Sequence, residues 1–132
     1  MRKELQEQLK NKYPEFFTNT PAEVPFTEMG FECGDGWFQL LFELCDALKS
    51  MGLERSVDQI KSMGGGLKFY VVDEETLEDK FMGMIIEGER ASFKVCEICG
   101  NAGLQQVSLH DITTLCPKHF EIQSKIEEHE KT

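Results

Sequence analysis

The fold is decided by two short stretches of sequence, Cys96-Glu97-Ile98-Cys99-Gly100 and Cys116-Pro117-Lys118-His119. Sixteen residues lie between Cys99 and Cys116, and two C-x2-C/H pairs at that separation are typical of tetrahedral zinc. Two residues between ligands let a tight turn direct both side chains to one point. Four protein ligands close the coordination shell, whereas catalytic zinc keeps one position open for water. The pattern therefore predicts one structural zinc ion, held by Cys96, Cys99, Cys116 and His119.

The residues around these ligands predict a module of their own. Gly100 relieves backbone strain where the first turn closes, and Pro117 fits the first position of a helix, where its missing N–H has no cost. The dipole of that helix favours thiolate at Cys116. Between the two pairs, residues 104–115 alternate as a short hairpin does. Knuckle, hairpin and helix in this order resemble a treble clef, which we expect to be covered by Phe120, Ile122 and Ile126.

We divide the chain into an α+β core, residues 1–94, and a zinc-binding module packed on it, residues 95–132. A module of this size has little apolar core, and structural zinc contributes on the order of 10 kcal/mol of apparent binding free energy to folding. The alternative is that the four residues are ordinary buried thiols and a surface histidine. Paired spacing disfavours that interpretation.

The centre of the chain predicts a helix over residues 37–50, because Trp37, Leu41, Leu44, Cys45 and Leu48 recur at three and four residues. Asp35, in Cys33-Gly34-Asp35-Gly36-Trp37, is the expected N-cap, since its carboxylate can accept free backbone N–H groups. Gly52 suits the C-terminal cap.

A hairpin and a further helix follow. Residues 56–63 and 67–72 predict two strands, joined by Gly64-Gly65-Gly66, where positive φ is cheap. Residues 73–92 predict a helix with acids in its first turn, and Gly88 on its apolar face allows close packing. At the N-terminal end, residues 3–13 predict a helix that ends near Pro14, and residues 16–31 predict mostly loop. The fold class is α+β, with helices packed on a small β-hairpin.

The composition of the chain disfavours some classes of function. The 132 residues include 14 Lys and Arg against 24 Asp and Glu, a formal net charge of −10. This balance disfavours binding to nucleic acid through its phosphates, which depends on clustered cations. No apolar run approaches the ~20 residues that span a bilayer, and residues 1–7 lack the apolar stretch of a signal peptide. We expect a cytoplasmic protein, in which five cysteines bind metal or stay as thiols.

Several other patterns have a plainer structural interpretation. Cys33 and Cys45 are expected to be a loop thiol and a core thiol rather than a redox pair. His110-Asp111 resembles the dipeptide of metal-dependent phosphohydrolases, but no other histidine is spaced to join it. The three glycines from Gly64 suit a hairpin turn better than a phosphate cradle. The acidic run over residues 73–79 is typical of a solvated helix start.

The order of these motifs resembles a family of small uncharacterised bacteriophage and prophage proteins. The resemblance rests on the Gly-Asp-Gly-Trp stretch over residues 34–37, the Gly-Gly-Leu-Lys-Phe-Tyr stretch over residues 65–70, and the two cysteine pairs. This chain departs from the family's middle motif, because Ser62-Met63 precedes the glycines and Lys68 stands where an arginine is usual. The resemblance implies a phage origin and carries no established activity.

Three functions follow as hypotheses. The leading one is a phage-encoded accessory protein, not an enzyme, that binds a host protein in the bacterial cytoplasm, with counter-defence as one possible role. The second is a nucleic-acid-binding regulator, although three lysines after Cys96 face six acids. The third is a small-ligand binder or enzyme that uses a face built from Asp35, Trp37, Lys61, Lys68 and Tyr70. This face exists only if the two glycine-containing motifs share one surface.

Overall fold

A computed structural model describes residues 1–17, 30–107 and 111–131 of the chain. It confirms the α+β class: helices pack on a three-stranded sheet, and a two-stranded hairpin and a helix follow toward the C-terminus. Residues 18–29, most of the predicted loop, and His110 lie outside the described residues.

The main sheet is built around the predicted hairpin. Strand β2 spans Val57–Met63 and β3 spans Gly66–Val71, paired antiparallel with Ile60 opposite Phe69. The turn between them places Gly64 and Gly65 at φ of +61° and +83°, the conformation for which glycine is suited. A short strand β1, Phe31–Glu32, pairs parallel with the other side of β2. The prediction of loop up to residue 31 missed this strand, because two residues are too few to show a period.

One long helix packs on the sheet, and a second long helix packs on the first. Helix α3 spans Phe38–Ser50 and α4 spans Asp79–Ser92, and α4 packs on both β3 and α3. The predicted close approach at Gly88 is confirmed, since a Cβ added there would lie 3.0 Å from Leu44 Cδ2. Gly52, at φ +89°, follows the last turn of α3 as expected.

The predicted start of α4 is wrong. Asp73 has a left-handed backbone, with φ of 56°, and a separate 3₁₀ turn, Glu74–Thr76, precedes α4. The acids of residues 73–79 read like a helix start, but left-handed backbone at Asp73 cannot continue a right-handed helix. The helix therefore begins six residues later than predicted.

The N-terminal segment forms two helices instead of one helix and a loop. Helix α1 spans Lys3–Lys12, and α2 spans Pro14–Phe17 with proline at its first position. Tyr13, Phe16 and Phe17 are fully buried or nearly so. The proline ended α1, as expected, and also began the next turn.

The described residues of the core part, residues 1–94, bury one large apolar cluster, in which Trp37 is the largest fully buried side chain. Side chains of the flanking helices accept hydrogen bonds from backbone N–H groups of both edge strands of the sheet. The Leu67 N–H donates to Ser92 Oγ at 2.8 Å and the Phe69 N–H to Glu89 Oε2 at 2.9 Å. On the other side, the Phe31 N–H donates to Gln6 Oε1. In the described ranges, no helix combines the length and apolar character that crossing a membrane requires.

Candidate metal centre

The first pair of predicted ligands lies on a tight knuckle. The Gly100 N–H donates to Cys96 O at 2.9 Å, the Cys96 N–H donates to Asn101 O at 2.8 Å, and Gly100 has φ of +83°. An isolated bridge between Val95 and Ala102 closes the base of the turn. The sharp reversal aims Cys96 and Cys99 toward the same point, and the expected role of Gly100 is confirmed.

The second pair is placed by a hairpin and a helix. Strand β4, Leu104–Val107, pairs antiparallel with β5, Ile112–Leu115, and helix α5 spans Pro117–Lys131. Cys116 therefore lies between the end of β5 and the first turn of α5, where the Phe120 N–H donates to Cys116 O at 2.9 Å. His119 lies one turn further on. The predicted order of knuckle, hairpin and helix is confirmed.

The four side chains converge. The ligand atoms of Cys96, Cys99, Cys116 and His119 all lie within 4.8 Å of one another. Cys99 Sγ lies 3.7 Å from Cys116 Sγ, and His119 Nδ1 lies 3.6 Å from Cys96 Sγ and 3.2 Å from Cys116 Sγ. A tetrahedron with metal–sulfur bonds of about 2.3 Å has sulfur atoms about 3.8 Å apart. The arrangement is therefore compatible with one four-coordinate metal ion.

The cysteines of the candidate metal centre differ in their exposure to solvent. Cys96 is fully buried and Cys116 is 4% exposed, whereas Cys99 is exposed. Burial opposes ionisation of Cys96, but backbone N–H groups of Cys116, Cys99 and Ile98 outweigh it and lower the pKa of the thiol to about 6. The backbone thus favours the thiolate form that metal binding requires at this position.

Glu97, between the first two ligands, joins the knuckle to the core. Its Oε2 accepts the Gly34 N–H at 2.9 Å and its Oε1 accepts the Ser62 hydroxyl at 2.8 Å. Its backbone oxygen accepts the Gly36 N–H at 2.7 Å. Its backbone N–H donates to Thr114 O at 3.0 Å. One residue thus holds the Gly-Asp-Gly turn, strand β2 and the metal hairpin together.

The glycines of residues 34–37 make this contact possible. A Cβ added at Gly36 would lie 2.1 Å from Cys96 O, and one added at Gly34 would lie 2.3 Å from Glu97 O. Trp37 Nε1 donates to Val95 O at 2.9 Å from within the core. The Gly-Asp-Gly-Trp motif is therefore the surface against which the metal knuckle packs.

The glycine turn of the β2–β3 hairpin makes a second contact with the module. Gln105 Nε2 donates to Gly64 O at 2.8 Å, and the buried Thr114 hydroxyl donates to Gly65 O at 2.5 Å. We call the contacts of Gly34, Gly36, Gly64 and Gly65 with residues of the metal hairpin and knuckle the module–core interface. Both glycine-containing motifs of the phage resemblance contribute residues to it.

The five residues of the predicted ligand face do not lie on one surface. Trp37 is fully buried, because its ring belongs to the core, and Asp35 pairs with Arg2, with Oδ2 2.7 Å from Arg2 Nε. That pairing also corrects the predicted N-cap, since Asp35 forms no side-chain cap and lies inside a 3₁₀ turn, Asp35–Trp37. Lys61 and Lys68 are cross-strand partners, and Lys61 Nζ lies 5.8 Å from the centre of the Tyr70 ring. Only these last three residues share a surface.

Three residues of the module–core interface were not predicted from the sequence: Glu97, Gln105 and Thr114. Their signal was weak, because each is an ordinary polar residue whose partner lies 35 to 63 residues away along the chain. A hint was available for Glu97, since a charged residue inside a metal knuckle needs a polar environment. The expected cover of the module by Ile122 and Ile126 is wrong, because these side chains are 46% and 54% exposed. Of the three residues expected to cover the module, Phe120 packs against its buried cluster.

The remaining candidates form no second site in the described part of the chain. Cys33 and Cys45 are buried, and burial raises the pKa of both thiols, to about 12 for Cys33. Burial also raises the pKa of Glu74, with Glu89, Glu75 and Asp58 adding to the effect. Apart from the Cys96 group, no cluster of His, Cys, Asp and Glu that could hold a metal occurs among the described residues.

Comparisons of the chain with protein-family models, with curated proteins and with solved structures give no match. The resemblance to bacteriophage proteins therefore stays a prediction from the motifs.

Proposed function

We propose that this chain is a phage-encoded accessory protein, stabilised by one structural zinc ion, that acts by binding a host protein. The donor set supports zinc, because three thiolates and one imidazole in tetrahedral spacing suit that ion better than they suit Mg²⁺ or Ca²⁺. Four protein ligands leave no position for a reacting water, which supports a structural role.

The binding proposal rests on the positions of the exposed apolar side chains. Among the described residues, six of the eight exposed large hydrophobic side chains lie in the metal module, residues 95–131. They are Ile98, Leu104, Val107, Ile112, Ile122 and Ile126. Val107 is 80% exposed and Leu104 is 69% exposed. Exposed apolar residues concentrated in one small part of a protein are typical of an interaction surface.

The structure of the module explains why these side chains remain exposed. Its own buried cluster consists of Cys96, Leu115 and Cys116, with Phe120 packed against it. Two of these three buried residues are metal ligands, so zinc replaces most of the apolar core that would otherwise hold the hairpin and helix. The apolar side chains of β4, β5 and α5 are then left available for a partner.

Charge supports a protein partner over nucleic acid. The formal net charge of −10 repels phosphate backbones, and it attracts a partner with a basic surface around an apolar patch. A host protein of a phage-infected cell is the partner class that the motif resemblance favours, and interference with a defence protein is one form of such binding.

The test combines metal analysis with affinity capture from bacterial host lysate. Native mass spectrometry of the purified chain is expected to show one zinc, and capture is expected to recover one stoichiometric host protein. Val107→Glu and Ile126→Glu should each abolish capture while keeping the zinc. The matched control is Ile86→Glu, because Ile86 is 38% exposed on α4, outside the module, and should keep the partner. Absence of a stoichiometric partner, or equal loss with the control, would contradict the proposal.

A further inference from the structure

The exposed ligand, Cys99, lies in a groove. The groove has a volume of about 610 Å³ and runs between α1, the start of α3 and the metal knuckle. Its lining includes Leu5, Phe38, Ile98, Cys99 and Gly100. The other two cysteine ligands are buried, and His119 is half-buried. Solvent therefore reaches the metal cluster's thiols at Cys99.

A second thiol lies within reach of Cys99. Cys116 Sγ is 3.7 Å away, close enough that a small movement of either side chain would bring the sulfurs to bonding distance. Cys33 and Cys45 are buried in the other part of the molecule, 7% and 0% exposed, and belong to the core cluster. Of the five cysteines, one is thus accessible and has a neighbouring thiol.

We propose that Cys99 is a modification site: hydrogen peroxide oxidises it, and Cys116 then forms a disulfide with it and releases the metal. The inference rests on the proposed zinc site. In the first step the Cys99 thiolate attacks peroxide, which forms the sulfenic acid and expels hydroxide. In the second step the Cys116 thiolate attacks the Cys99 sulfur, which forms the S–S bond and expels a second hydroxide.

The atoms and electrons balance. Two thiolates lose two electrons in total, the O–O bond of one peroxide breaks, and two protons convert the two hydroxides to water. The disulfide would remove Cys99 and Cys116 as ligands, and Cys96 and His119 alone would not complete the tetrahedral shell that holds a zinc ion. The peroxide is the oxidant and no further reagent is required.

Release of the metal has a consequence at the module–core interface. Cys116 follows Leu115 and Thr114, and the Thr114 hydroxyl is the donor to Gly65 O. When Cys116 is drawn to Cys99 and the ion is gone, the register of β5 against the glycine turn is no longer held by the metal. Oxidation therefore loosens the part of the protein that carries the exposed apolar side chains.

The experiment uses the full-length protein and peroxide as the probe. Zinc content is measured first, so that a chain without zinc overturns the metal proposal and this inference together, before any peroxide is added. Peroxide is then added, zinc release is followed with a coloured chelator, and non-reducing peptide mapping identifies the bonds. We expect one zinc released per chain and a Cys99–Cys116 cross-linked peptide, with Cys33 and Cys45 still alkylatable after denaturation.

A variant tests the assignment to Cys99. Cys99→His keeps a fourth ligand and removes the accessible thiol, so it should hold zinc and release it about tenfold more slowly or slower still under peroxide. Zinc that stays bound in the wild-type chain under excess peroxide would overturn the inference while leaving the structural zinc intact. A Cys96–Cys99 disulfide as the main product, or zinc release from Cys99→His at the wild-type rate, would also overturn it. If the variant fails to fold, the mapped bond in the wild-type chain decides.

Discussion

The core, residues 1–94, and the metal module, residues 95–131, are stabilised in different ways. Among the described residues, the hydrophobic cluster of the core has nineteen buried members, whereas that of the module has three, two of which are candidate metal ligands. Burial of apolar side chains stabilises the first part, whereas the second depends on polar contacts to the core and, under the zinc proposal, on metal coordination. The difference implies that the two parts fail under different perturbations, which the following variants test.

The largest expected effect is removal of a ligand. Cys116→Ala leaves three ligands and should abolish zinc binding, which removes an apparent stabilisation on the order of 10 kcal/mol from the module. Hydrogen exchange should then become fast over residues 95–131 while the helices of residues 1–94 keep their protection. Cys45→Ala is the control, because Cys45 is a buried core thiol and should leave the zinc in place. Unfolding of the whole chain by Cys116→Ala would contradict the separation of the two parts.

Gly36→Ala disrupts the contact between the core and the metal module. The added Cβ would lie 2.1 Å from Cys96 O and 2.6 Å from Gly100 N, both backbone atoms, so the knuckle must move. We expect a loss of about 3 kcal/mol in the free energy of unfolding, at the upper end of overpacking costs. Urea denaturation measures it.

The matched control for that variant is Gly83→Ala. Gly83 is exposed within α4, and an added Cβ meets nothing within 4 Å. Alanine there should raise the free energy of unfolding by about 0.5–1 kcal/mol, because glycine has a poor helix propensity. If Gly36→Ala were as harmless as the control, the close approach described here would be wrong.

Glu97→Ala removes side-chain acceptors from the same interface without adding atoms. The Gly34 N–H and the Ser62 hydroxyl lose a carboxylate partner, which should cost about 2 kcal/mol. Urea denaturation of the zinc-loaded protein gives the value, and zinc stoichiometry should stay at one because Glu97 is not a ligand. Ser62→Ala removes one of the two bonds and should cost less. Loss of zinc from Glu97→Ala would contradict the assigned role.

The smallest effect concerns the solvent side of the core sheet. Lys61 and Lys68 are cross-strand partners, and neither forms an ion pair with the described residues. Like charges placed directly opposite destabilise a sheet, so Lys68→Glu should raise the free energy of unfolding by about 0.2–1 kcal/mol at low salt. The gain should shrink in 1 M salt because salt screens exposed charges. A decrease in stability would show that Lys68 has a partner outside this sheet.

Local patterns in the sequence predicted most of the elements, and they predicted which four side chains converge at the candidate metal centre. Ligand spacing, the glycine turn before Gly66 and the apolar stripe of α3 are short-range features, so their geometry follows from neighbouring residues. Contacts between distant segments could not be predicted this way. The Gly-Asp-Gly-Trp motif read as a ligand-binding surface because its glycines are needed for a close approach, and the sequence does not say that the approaching group is the protein's own knuckle.

Two other wrong predictions, the start of α4 and the burial of Ile122 and Ile126, have similar causes. Asp73 adopts a left-handed backbone that acidic composition does not reveal, and Ile122 and Ile126 follow a helical period without having a surface to cover. At Asp73 the tertiary structure overrode the local preference for helix. At Ile122 and Ile126 the helix formed, but the apolar side chains stayed exposed.

The polar contacts between the two parts also bear on the order in which the chain folds. Gly34 meets Glu97 across 63 residues, and Gly65 meets Thr114 across 49. Pairings so distant along the chain form slowly, because chain entropy is lost before their contacts are made. On a ribosome Gly34 lacks its partner until Glu97 has been translated, and Gly65 lacks its partner until Thr114 has been translated. The interface therefore forms late, after the strands and both long helices of the core have been synthesised.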